Sequence, residues 1–398
     1  MNRRKFLHRT APLPAAISLA GCGAPEDGTD DRNESESDSG AGSGGNVTGT
    51  APIPMLEDPP DAVYLPGHRK SMRMLEPVAA GDYRLAPMVT YPHPFWLVTG
   101  TERQLVEPEA GRGVHLMLVV WDAVTGHVLP VDISPQATLE GDDGWQRRLS
   151  LWPMLSQEMG LHFGDNVTLP ADGTYTVRVD LPPVTTRRTG ALAGRFDDGA
   201  TATFEFTYDS AFREAVVDGI ELLERERWGE RGALEPMTHG GDGDSGRHSE
   251  IPYSVLPSAD AYPGTLLREA DPEQRDGLPR SGDAVFVVSL LESGSRLADG
   301  DDRYLLVSPR TPYNRVPLSN MSLQATVDRD GSTVVDRQRH VGTLDGELGF
   351  HYGHSLTDIQ PGDSVTITVE SPPQLVRHQG YETAFFEMEP LECVVPTA

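Results

Sequence analysis

The chain of 398 residues carries 60 acidic against 33 basic side chains, a formal net charge of −27, with the excess spread along its length. Neutralising phosphates takes clustered Lys and Arg, so this balance excludes nucleic acid as a partner. Dispersed carboxylates, hydrated and screened by salt, fit a halophilic surface better than a dedicated cation-binding patch.

In chain order, Arg3-Arg4-Lys5-Phe6-Leu7 reads as a twin-arginine export signal. Ala11 to Ala20 is the short apolar stretch of a signal peptide, below the ~20 residues a membrane span needs. Leu19-Ala20-Gly21-Cys22 follows as a lipobox, which predicts a lipoprotein anchored through Cys22 to membrane lipid on the outer, extracytoplasmic face. Two acyl chains there anchor stably. Residues 1–22 are thus the signal. Residues 23–60, rich in Gly, Asp, Glu and Ser, form an acidic tether with too little apolar content to fold.

The remaining ~340 residues suit two domains. Over 61–209, Val114 to Val120, Tyr175 to Leu181 and Ala202 to Tyr208 are short strand-like runs between turn residues. Residues 210–275 begin with Phe212, Val216, Ile220 and Leu223 at helical spacing, predicting a helix over 210–227 capped by Ser210, and continue through a flexible Gly240 to Gly246 loop. Over 276–398, Val285 to Leu290 and Ser364 to Glu370 are again strands. The fold class is therefore all-β: two tandem immunoglobulin-like β-sandwich domains joined by a short helix and flexible loop. Cys393 reads as a small buried hydrophobe. Asn46, Asn166 and Asn320 open candidate glycosylation tripeptides.

The two strand-rich regions resemble each other. Gly160-Leu161-His162-Phe163-Gly164 matches Gly349-Phe350-His351-Tyr352-Gly353. Each is followed by an alternating strand and a double proline, Pro182-Pro183 and Pro372-Pro373, with the first proline 20 and 21 residues after the histidine. This pattern predicts an internal duplication.

No nucleophile elbow, phosphate-binding glycine loop or His-Glu-x-x-His motif is present, so the chain is expected not to be an enzyme. What stands out is a set of thioethers and imidazoles: His68, Met72, Met74, Met88, His93, His115, Met117, Met154, Met159 and His162. That donor set suits soft or borderline ions such as copper or Fe(II). On a strand, His115 and Met117 share one face. Taken one at a time, each Met reads as core filler and each His as structural.

The segment Leu151 to Leu169, with Trp152-Pro153-Met154 and then Gly160-Leu161-His162-Phe163-Gly164-Asp165-Asn166-Val167, resembles the periplasmic iron-transport protein family. Gly113-Val114-His115-Leu116-Met117 and Ala62-Val63-Tyr64-Leu65 resemble earlier strands of that family. The likeness covers roughly 61–208, in a duplicated lipoprotein form of haloarchaeal type. It implies dimeric immunoglobulin-like sandwiches working beside an iron permease, with copper held by His115, Met154, His162 and a histidine after the double proline. Here Met117 replaces the family's glutamate, the loop between Met154 and His162 is one residue longer, and Arg187-Arg188 stand where the last histidine would follow Pro182-Pro183. Met117 or His93 would compensate. The second copy keeps His351, and Arg377-His378 follows its double proline, with Met321-Ser322-Leu323 in place of His-x-Glu.

Three arrangements stay open. His340, His351, His354 and His378 form an imidazole-rich site of their own; the copies supply complementary halves of one pseudo-dimeric site; or the second copy is a structural partner without metal. The candidate metal ligands are His93, His115, Met117, Met154, His162, His351 and His378. The expected function is binding of a copper or iron ion outside the cytoplasm to assist Fe2+ uptake, with an iron permease as partner and a homodimer or intramolecular pseudo-dimer as the assembly. The alternatives are a surface scaffold or adhesion sandwich without metal, and a copper-handling lipoprotein.

Overall fold

The run Val114 to Val120 lies within the strand Gly113–Asp122, and Tyr175 to Leu181 within Gly173–Leu181. Val285 to Leu290 lies within Ala284–Leu291, and Ser364 to Glu370 within Ser364–Ser371. The computed structural model describes residues 53–129, 133–237, 251–269 and 277–397, and is all-β apart from one α-helix and short 3-10 turns. The export signal, Cys22 and the Gly240 to Gly246 loop lie outside the described residues. Among the described residues, no helix is long and apolar enough to cross a membrane.

Most of the N-terminal strands form two sheets. The smaller runs Ala200–Tyr208, Gly173–Leu181, Gln136–Gly141, Gln146–Ser150, all antiparallel. The larger has Tyr83–Thr90, Gly113–Asp122, Gly160–Thr168 and Trp152–Ser156 at its centre. Val114, Leu116, Leu118 and Val120 join Leu139, Val177 and Val179 in one apolar core. The C-terminal strands repeat this layout. Ala284–Leu291, Arg303–Arg310, Gly349–Leu356 and Val341–Asp345 lie side by side, as do Leu391–Val394, Ser364–Ser371, Ser322–Arg329 and Ser332–Arg339. Thr265–Glu269 joins the two groups, pairing with Ala284–Leu291 at one end and Leu391–Val394 at the other. Cys393 is fully buried there, and burial pushes its thiol up to about 12.

Each half lends a short strand to the other. Val376–Arg377 runs parallel to Trp152–Ser156, with Met154 opposite Val376 and Leu155 opposite Arg377. Arg187–Thr189 runs parallel to Val341–Asp345, with Arg187 opposite Thr343 and Thr189 opposite Asp345. Both segments follow a double proline, which cannot continue a ladder and turns the chain out of its own sheet.

The helix spans Ser210–Asp218, shorter than its periodicity predicts. Asp209, not Ser210, is the N-cap, its carboxylate accepting from Phe212 N–H at 2.7 Å. Gly219 closes the helix. Ile220 and Leu223 lie beyond it because Glu221–Leu222 instead pairs antiparallel with His68–Arg69.

Candidate metal centre

One face of the larger N-terminal sheet carries the donors. The register sets His115 opposite Asn166, Met117 opposite Gly164, and Met154 opposite His162. Alternation along each strand then puts His115, Met117, Met154, His162, Gly164 and Asn166 on the same face. His378 arrives over this face from the C-terminal half, its backbone N–H donating to Leu155 O at 3.2 Å. His93 comes from the loop after Tyr83–Thr90.

The four imidazoles are buried: His93 is 1% exposed, His115 0%, His162 2% and His378 2%. His93, His115 and His378 each offer a ring nitrogen within 4.8 Å of the others. His162 Nε2 lies 3.2 Å from His378 Nε2, and His93 Nε2 lies 3.3 Å from His378 Nδ1. Burial drives all four basicities down, His162 to about 3 and the others well below the usual imidazole range. They are therefore neutral, the form that ligates metals.

Three of these rings are oriented alike. His93 Nδ1 lies 3.1 Å from Tyr91 O, His115 Nδ1 2.9 Å from Asn166 Oδ1, and His162 Nδ1 3.2 Å from Gly160 O. An oxygen at Nδ1 fixes the proton there and leaves the Nε2 lone pair free. Asn166 is itself held, its amide donating to His93 O at 2.9 Å, so this candidate glycosylation residue is committed to the site. His115 Nε2 has no hydrogen-bond partner. A Cβ on Gly164 would lie 3.1 Å from that nitrogen, 3.2 Å from Met154 Sδ and 2.9 Å from Leu116 O. Glycine thus leaves room where the imidazole and thioether meet. An orphaned Nε2, a thioether and three further neutral imidazoles make a donor set that fits a copper ion.

Beside this cluster is a cavity lined by His68, Lys70, Met72, Met117, Glu158, Met159, His162 and His378. Both ring nitrogens of buried His68 are unpartnered, and burial brings it down to about 4. Met117, on the donor face of the sheet, also lines this cavity.

His351 stands apart. Its Nδ1 lies 3.2 Å from Gly349 O, as His162 does with Gly160, but its Nε2 lies 3.4 Å from Tyr304 Oη. The registers show why. Tyr304 pairs with Ser355 as His115 pairs with Asn166, and Thr343 pairs with His351 as Met154 pairs with His162. Thr189 occupies the place that His378 takes in the other half, next to Asp345 rather than an imidazole. The Tyr304 hydroxyl lies 2.2 Å from where a Cβ of Gly353 would be, so it fills the space that Gly164 leaves open. The expected grouping of His378 with His351 is therefore replaced by His378 with His93, His115 and His162. Sequence reasoning passed over Lys70 and Asn166; the second was marked by its place in the Asp165-Asn166-Val167 run.

Residues 260–394 match a family model described as a domain of unknown function (DUF7350). No curated protein matches the chain. Among solved structures, a copper-bound variant of FetP from uropathogenic Escherichia coli strain F11 is similar at 21% identity, over 35% of this chain and 97% of that one, with a TM-score of 0.28. The copper-reconstituted P19 protein from Campylobacter jejuni is similar at 15% identity, over 35% of this chain and 96% of that one, with a TM-score of 0.28.

Proposed function

We propose that this chain is a lipid-anchored, extracytoplasmic metal-binding protein that assists iron uptake, with a copper ion held by His115, Met154, His162 and His378 and flanked by His93. The observation that carries the reading is the convergence of neutral imidazoles whose Nδ1 protons are committed to oxygens, so that their Nε2 lone pairs face inward without enough donors to satisfy them. A bound cation resolves that conflict. The motif resemblance of residues 61–208 to the periplasmic iron-transport proteins supports iron as the cargo and an iron permease as the partner.

The exchange of post-proline strands supports an intramolecular pseudo-dimer: a duplicated chain in which the C-terminal copy completes the centre of the N-terminal copy. The reciprocal location keeps only His351 of the four donors. In this reading copper supplies redox or Lewis-acid character next to the cargo ion. The chain's own residues orient the ligands, exclude water and hold the imidazoles neutral, and no organic substrate is turned over.

The test is metal content. The full chain, purified in high salt, is incubated separately with Cu(II) and Fe(II), desalted and assayed beside His162→Ala and His351→Ala. About one copper per chain, lost with His162→Ala and kept with His351→Ala, supports the reading. No retained metal in any sample moves the protein to the scaffold class. Copper retention without any effect of Fe(II) favours a copper-handling lipoprotein instead.

A further inference from the structure

Lys5 and Lys70 are the only lysines in the chain; arginine supplies every other long cationic side chain. Lys70 directly follows the short strand His68–Arg69, which is pinned to Glu221–Leu222. Its backbone N–H donates to Glu158 Oε2 at 3.2 Å, and its Nζ lies 3.0 Å from His378 Nδ1. The side chain is partly buried, with its head group turned inward onto the histidines. Tyr64 donates its hydroxyl to Glu382, which lies close enough to act on Lys70 together with Glu158.

An ammonium has three donors and no acceptor. A neutral histidine that binds a metal through one nitrogen keeps its proton on the other and donates it to an acceptor. His93, His115 and His162 satisfy that rule through Tyr91 O, Asn166 Oδ1 and Gly160 O. His378 does not: its ring nitrogens face Lys70 and two other imidazoles, and among the described residues no carbonyl or amide oxygen is hydrogen-bonded to either of them. With Lys70 donating to Nδ1, the single ring proton sits on Nε2, where it points at His162 Nε2. Neither ring nitrogen of His378 is then open to a metal.

We infer that Lys70 is a tethered cation that competes with the metal for His378. The centre has three standing ligands, His115, Met154 and His162, and a fourth, His378, that is released only when Lys70 withdraws. Metal bound by the first three is readily exchanged, and the fourth ligand closes the site. Glu158, on the wall of the same cavity, is the carboxyl group that can receive the displaced Lys70 head group. This role rests on the metal-binding reading above and gives it a means of release, which a carrier needs and a store does not.

The test is Cu(II) affinity of the full chain by competition with a chelator, for wild type, Lys70→Met, His378→Ala and the double variant. Lys70→Met is expected to bind at least tenfold more tightly than wild type, and the gain should vanish when His378 is absent. Equal or weaker binding by Lys70→Met overturns the inference. So does the same gain in the His378→Ala background, which would mean a through-space charge effect or a new thioether ligand at position 70, with no competition for the ring. A second readout needs no metal and no variant: ring nitrogen NMR of the metal-free wild type. It should show His378 unprotonated at Nδ1 and protonated at Nε2; a proton on Nδ1 contradicts the competition even if no variant folds. Absence of copper binding in wild type and Lys70→Met alike, with the expected tautomer present, would instead overturn the metal-binding reading.

Discussion

His162 and His378, 216 residues apart in sequence, stack with ring centroids 5.2 Å apart and an interplanar angle of 15°. The contact depends on a two-residue strand: Val376–Arg377 enters the N-terminal sheet and delivers the following residue over His162. Replacing His378 by Ala should weaken Cu(II) binding at least about tenfold, the low end of what even a ligand-orienting group contributes. Replacing His351 by Ala should leave copper affinity unchanged. Chelator competition on the two folded variants makes the comparison.

Arg377 holds that strand in place. It is fully buried, and its guanidinium donates to Tyr381 O, Ala384 O and Pro373 O, with Phe385 and Phe386 beside it. Arg377→Met keeps the bulk but leaves those carbonyls without a donor, at about 1–3 kcal/mol each if they stay buried. Thermal unfolding should move to lower temperature, and copper affinity should fall with it because His378 loses its mount. A variant with unchanged copper affinity would show that the mount is unnecessary.

Gly164 tests the packing of the centre. An added methyl would meet Leu116 O at 2.9 Å, and backbone cannot give way as a flexible side chain can. Gly164→Ala should destabilise the fold by about 1–3 kcal/mol, as overpacking does, and should also displace His115 or Met154. Denaturant unfolding with and without copper separates the two effects: the stabilisation that copper adds should shrink in the variant.

How far the site could be read in sequence follows from how its parts are connected. His115 and Met117 share a face because strands alternate, and the Gly-x-His-aromatic-Gly segment marked His162; both are local patterns. The all-β class was legible for the same reason, from runs such as Val114 to Val120. The partnership of His378 with His162 was present only as one of three arrangements, because no local pattern says into which sheet the chain enters after Pro372-Pro373. Lys70 was invisible because its role comes from the placement of one donor against an imidazole 308 residues away. The end of the helix was misplaced for a related reason: Ile220 and Leu223 have helical spacing, but pairing with His68–Arg69 takes the chain out of the helix.

The buried histidines set an acid limit on stability, and two of them, His340 and His351, lie away from the centre. Burial lowers His340 and His351 to about 4, below the 6.5 of an exposed imidazole. Between those values the unfolded chain binds protons that the folded chain does not, so stability is full above pH 6.5 and falls as the pH drops toward 4. Denaturant unfolding of the metal-free protein at constant high salt should show this decline. His340→Gln should make it shallower, and an unchanged slope in that variant would remove His340 from the explanation.

The central claim is that one centre is built from both halves of the chain and that its counterpart is lost. Anomalous diffraction at the copper edge from crystals of the copper-loaded full chain tests it most directly. A single strong peak is expected among His115, Met154, His162 and His378, with none beside His351. A peak at His351, or a copper bound without His378 in a wild-type crystal whose Lys70 has withdrawn, would contradict it.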